Sequence, residues 1–104
     1  MAVGLVMRFH GVDARRYEAV MRQLGLTATG GDWPEGLISH AAGATDEGWC
    51  VVDVWESQKQ FDTFLASRLL PAFERAGGLP DAEVTTFQVH LLRDHGRQLT
   101  QPLR

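Results

Sequence analysis

A single cysteine in 104 residues excludes several readings at once. Cys50 has no partner within the chain, so no intrachain disulfide forms, and no C-x-x-C pair exists to hold a metal or run redox chemistry. That usage suits a cytoplasmic protein. Basic runs are missing too. The 10 basic and 13 acidic residues are dispersed and sum to a formal charge of −3, so no row of Lys and Arg is available to neutralise phosphates, and nucleic acid is excluded as a partner. No apolar run approaches the roughly 18 residues that span a bilayer, which argues against a membrane partner. Gly30-Gly31 and Gly77-Gly78 lack the strand-turn-helix frame of a phosphate loop.

Metal-ligand spacing is absent as well. His10, His40, His90 and His95 show no H-E-x-x-H or related pattern, and His10 and His90 fall at opposite ends of the expected sheet. No metal and no cofactor is expected.

What is present is the patterning of one folded domain. Hydrophobic residues make up 44% of the chain and charged residues 22%, enough apolar surface to offset the entropy of ordering. Val3, Leu5, Met7 and Phe9 alternate as a strand. Asp13 caps a helix over 14–24, with Val12 and Tyr17 at the spacing of a hydrophobic staple and Gly25 as the left-handed stop. The stretch 26–36 reads as a connection. Leu37–Gly43 and Trp49–Trp55 form a hairpin, and Ser57 with Gln60 makes a capping box for a second helix carrying Phe61, Phe64, Leu65 and Leu69. Pro71 is expected to break or restart that helix, leaving 72–76 as a separate turn. Glu83–Leu92 is the last strand. The domain covers 1–93, and 94–104 is a polar tail.

The order β-α-β-β-α-β predicts an α+β, ferredoxin-like fold with a four-stranded antiparallel sheet and both helices on one face. The opposite face also carries apolar groups: Val6, Cys50, Val52, Val54 and, on this reading, Val84. Two helices cannot cover both faces, so homodimerisation through the open one is expected.

The stretch Gly48-Trp49-Cys50-Val51-Val52-Asp53-Val54-Trp55-Glu56-Ser57, continued by Phe61, Phe64 and Pro71, resembles the strand-to-helix junction of the dimeric α/β-barrel superfamily. Antibiotic-biosynthesis monooxygenases, haem-degrading monooxygenases, polyketide cyclase relatives and stress-responsive barrel proteins belong to it. The resemblance implies that fold, a dimer, and a cofactor-independent monooxygenase or cyclase-like activity on an aromatic metabolite. The alternative is a non-enzymatic ligand-binding or stress-related barrel with a packed cleft. Haem degradation is disfavoured. Phe64 stands where those enzymes have a tryptophan, no histidine lies around Phe73 and Glu74, and strand one lacks their asparagine.

Oxygenation of a phenol without a cofactor needs an apolar cleft and a few polar groups to orient the ring or take its proton. Tyr17, His40, Asp53 and Trp55 are the candidates: His40 with Asp53 as the catalytic pair, Tyr17 and Trp55 as substrate-binding residues. Tyr17 and Trp55 could equally be core. Asp53, between valines in a central strand, must find a partner or take up a proton. Cys50 reads as a small core residue. A four-residue loop at 45–48 would set His40 opposite Asp53. A three-residue loop at 46–48 would put them on opposite faces. A cleft of roughly 300 Å³ or more with His40 or Asp53 on its wall would favour the enzyme, and a packed interior the alternative.

Overall fold

The computed structural model describes residues 1–93. The expected polar tail lies outside the described residues. Strand β1 (Val3–His10) leads into helix α1 (Ala14–Leu24). Two short strands, β2 (Leu26–Thr27) and β3 (Gly30–Gly31), pair within the stretch read as plain connection. The hairpin β4 (Leu37–Thr45) and β5 (Gly48–Trp55) follows, then a helical segment over 58–75 and the last strand β6 (Asp81–Gln88). The sheet is four-stranded in the order β4-β5-β1-β6, with every neighbouring pair antiparallel. This is the ferredoxin-like α+β fold. Among the described residues no helix is long and apolar enough to cross a membrane.

Local chemistry accounts for the helix ends. Asp13 accepts from the Arg16 amide at 2.9 Å, Val12 is buried beside Tyr17, and Gly25 closes α1 at φ 74. At the second helix the Ser57 hydroxyl oxygen accepts from the Gln60 amide at 3.2 Å, while its hydrogen goes to Gln60 Oε1 at 2.9 Å. Pro71 does not interrupt this helix. Helix α2 (Gln58–Phe64) runs through a π-turn (Leu65–Leu69) into α3 (Leu70–Arg75), and the Leu70 amide donates to the Leu65 carbonyl. A π-turn carries one extra residue and gives up an i→i−4 bond, so a proline without an N–H fits beside it at little cost. Residues 72–76 therefore continue one helical path.

Leu5, Met7 and Phe9 of β1 and Trp49, Val51 and Trp55 of β5 face the helices, with Leu5 and Trp55 fully buried. On the opposite face, cross-strand rows read Ser39, Val54, Gly4, Phe87 and then Ala41, Val52, Val6, Thr85. The Phe87 ring lies over Gly4, where a Cβ would fall 2.1 Å from it, so a side chain at this position would displace the ring.

Three further expectations change. Strand β6 runs over Asp81–Gln88 and not Glu83–Leu92. Its register pairs Val84 with Met7 and Phe87 with Gly4, which puts Val84 on the helix side and Phe87 on the open face. Cys50, half-buried on the open face beside Arg8, is not a core residue.

Candidate functional site

The hairpin register decides the site. Thr45 pairs with Gly48 around a turn at Asp46-Glu47, Ala44 pairs with Trp49, and His40 lies opposite Asp53. That is the register in which the two side chains share a face, the one turned toward the helices. The loop is one pair tighter than four residues, with the pairing beyond it unchanged.

Four side chains from three elements then meet in a chain of hydrogen bonds. His40 Nδ1 is 2.6 Å from Asp53 Oδ1, Trp55 Nε1 donates to Asp53 Oδ2 at 3.2 Å, and the Tyr17 hydroxyl is 2.6 Å from His40 Nε2. The directions follow from donor inventory. An ionised carboxylate only accepts, so Nδ1 carries the imidazole proton, Nε2 is the acceptor, and Tyr17 donates to it. The side chains of Asp53 and His40 are 7% and 19% exposed, so the carboxylate is sealed off while the imidazole keeps an edge toward the surface.

Burial, then the negative charges of Glu18 and Asp53, push the Tyr17 phenol up to about 12. It therefore stays protonated and keeps its bond to His40 across the neutral range. Because the unfolded chain loses this proton first, stability falls as pH rises from about 10 toward 12. Tyr17 is the chain's only tyrosine, so an ultraviolet tyrosinate titration of the folded protein reports this group alone. Its midpoint is expected at about 12. A midpoint at the ordinary tyrosine value, about 10, would contradict the buried hydrogen-bonded phenol.

The network borders a cavity of about 70 Å³ between sheet and helices, otherwise walled by apolar and aromatic groups such as Met21, Leu24, Val51 and Phe64. This falls well short of the 300 Å³ set as the mark of a ready cleft. An engineered apolar cavity of about 150 Å³ takes benzene, so an aromatic ring enters here only if side chains part. The half-buried Trp33, its ring 5.4 Å from that of His40, is held by a bond from its indole to Gly30. Arg68 ties the same connection down, donating to the carbonyls of Leu24 at 3.0 Å and Asp32 at 2.8 Å.

Sequence reasoning named Tyr17, His40, Asp53 and Trp55, and the structure brings all four together. It missed Trp33 and Trp49, whose ring is 5.0 Å from that of Tyr17. Trp49 had a signal: it shares the parity of Asp53 and Trp55 along β5. Trp33 had none beyond being a large aromatic in a loop.

No family model and no curated protein sequence matches this chain. Solved structures do. SnoaB, a cofactor-independent oxygenase from Streptomyces nogalater, is 20% identical, with 88% of this chain and 95% of that one covered at a TM-score of 0.63. An antibiotic-biosynthesis-monooxygenase-like protein from Chloroflexus aurantiacus is 15% identical over 92% and 98% of the chains, at 0.61. A similar protein from Deinococcus radiodurans is 13% identical over 90% and 97%, at 0.55. At such identities the likeness is one of fold: this chain has the ferredoxin-like fold of the antibiotic-biosynthesis-monooxygenase-like proteins.

Proposed function

We propose that this protein is a homodimeric small-molecule-binding barrel that acts as a cofactor-independent oxygenase on a phenolic aromatic compound. The observation that supports this reading is the Tyr17–His40–Asp53 chain of hydrogen bonds, part-buried at the wall of an apolar cavity. A base prepared in one tautomer by a sealed carboxylate is what activation of a phenol requires.

In this mechanism the substrate hydroxyl gives its proton to the Tyr17 oxygen as Tyr17 passes its own to His40 Nε2. A phenol pushed up to about 12 does not hold the negative charge, so Tyr17 conducts the proton and His40 keeps it. Asp53 stabilises the imidazolium that forms. The electron-rich substrate anion then reduces dioxygen. One oxygen atom replaces the hydrogen of a ring C–H and becomes a carbonyl, the O–O bond breaks, and the other oxygen leaves as water, so that the phenol supplies all four electrons and ends as a quinone. The low-dielectric walls exclude competing water and strengthen these charge interactions.

The test is oxygen consumption with a panel of phenols and naphthols. His40→Ala should slow turnover of any active compound by about 10²–10⁴-fold, the range of general base catalysis. Unchanged turnover in that variant would remove His40 from the reaction. One observation favours the second reading, a non-enzymatic barrel: the cavity of about 70 Å³ is smaller than an aromatic ring needs. On that reading no panel compound consumes oxygen in the wild type.

A further inference from the structure

Every polar group of the Tyr17–His40–Asp53–Trp55 chain is engaged within the chain itself. Trp49, whose side chain lines the same cavity, carries one that is not. The indole N–H of Trp49 is buried and finds no acceptor among the described residues. Trp49 is only 8% exposed, so bulk water does not reach that nitrogen, and a buried donor left without an acceptor is costly. Phenylalanine would fill a similar apolar place without the orphaned donor. The ring packs against Tyr17, with centroids 5.0 Å apart.

We propose that Trp49 orients the bound ligand by donating its indole N–H to an acceptor oxygen, such as a carbonyl, that lies near the hydroxyl addressed by Tyr17. The inference rests on the small-molecule reading of this cavity and adds to it a ligand class: rings carrying a hydroxyl together with a hydrogen-bond acceptor. The cavity must enlarge to admit a ring at all, and the parting of its wall is what lets the ligand oxygen reach the indole. Tyr17 then offers an acceptor lone pair and Trp49 a donor, two complementary contacts on adjacent rings. Together they fix which way round the ring sits, and so which carbon faces incoming oxygen.

Trp49 also borders a groove of about 290 Å³ at the hairpin end of the sheet, where Arg8, His10, Thr45 and Glu47 line the other sides. If the indole N–H turned toward that groove it would meet solvent, and ligand preference would not depend on it.

Matched ligands separate these cases. Calorimetric titration with hydroxyacetophenones and the corresponding ethylphenols compares rings of equal shape with and without the acceptor. Wild type should bind the ketone of a pair about tenfold tighter, the worth of one buried hydrogen bond. Trp49→Phe should erase that ratio even if the smaller ring weakens both ligands. Replacing Trp49 by benzothienylalanine, which exchanges the N–H for sulfur at nearly constant volume, should erase it too. That variant should be no less stable than wild type, since no bond within the protein is lost. A ratio that survives both replacements overturns the role of Trp49, as does a stability loss in the sulfur variant. If the ethylphenols bind and the ketones gain nothing, only the Trp49 inference fails. If neither kind binds, the small-molecule reading fails with it.

Discussion

Replacing Asp53 by alanine should destabilise the folded chain by about 3 kcal/mol, the range for stranding the partners of a buried charge. The carboxylate receives His40 Nδ1–H at 2.6 Å and Trp55 Nε1–H at 3.2 Å. These two donors fare differently without it. His40 keeps an edge toward the surface and can turn to water, whereas Trp55 is fully buried and cannot. Asp53→Asn keeps one acceptor oxygen but sets an N–H₂ against the second donor, so an intermediate loss of about 1–2 kcal/mol is expected. Urea denaturation at fixed protein concentration measures both, since a dimer's stability depends on concentration. An alanine variant within about 0.5 kcal/mol of wild type would show that the carboxylate contributes nothing net. Trp55→Phe in the Asp53→Ala background separates the causes: if the stranded indole donor dominates, it should recover part of the loss.

The position of Asp53 also shows what the sequence could and could not say. Element order, the caps at Asp13, Gly25 and Ser57, and the inward parity of Leu5, Met7 and Phe9 are local signals, carried by neighbours along the chain, and they were legible. Register was not. A slip of one residue at the Asp46-Glu47 turn would move His40 to the other face, and neither residue has the positive φ of the turns that announce a two-residue hairpin. The desolvation cost of an unpartnered Asp53 was the better guide, and it pointed to the observed pairing. Pro71 misled for a related reason: its local rule is sound, but the π-turn before it relieves the clash the rule assumes. The misplacing of Val84 came from reading parity in an edge strand whose eight residues are all exposed, where no burial contrast marks a face. The orphaned Trp49 nitrogen was beyond reach, because absence of an acceptor is a property of the whole packed arrangement.

A lysine at Val52 should turn the proposed dimer into a monomer. Val52 sits in the row Ala41, Val52, Val6, Thr85 on the face that carries no helix, and it is 39% exposed in the isolated chain, with Phe87 in the adjacent row at 48%. An obligate interface of this kind hides on the order of 2,000 Å² in total, and a partner sheet is the cover that matches an open sheet face in shape. An unpaired ammonium at its centre would cost several kcal/mol on desolvation, raising the dissociation constant by at least about a hundredfold. Sedimentation equilibrium at micromolar concentration should give the wild type about twice the 11.5 kDa chain mass, and Val52→Lys the mass of one chain. A monomeric wild type would end the dimer proposal. The two faces of β5 are not independent, however. The strand that offers Val52 outward holds Asp53 and Trp55 inward, so a partner sheet that fixes the outer face also fixes the backbone from which Asp53 reaches His40. Dissociation should therefore lower turnover even though Val52 touches no group of the relay, and activity should return at protein concentrations high enough to restore the dimer. A monomeric Val52→Lys with undiminished turnover would show that one sheet alone holds the relay in place.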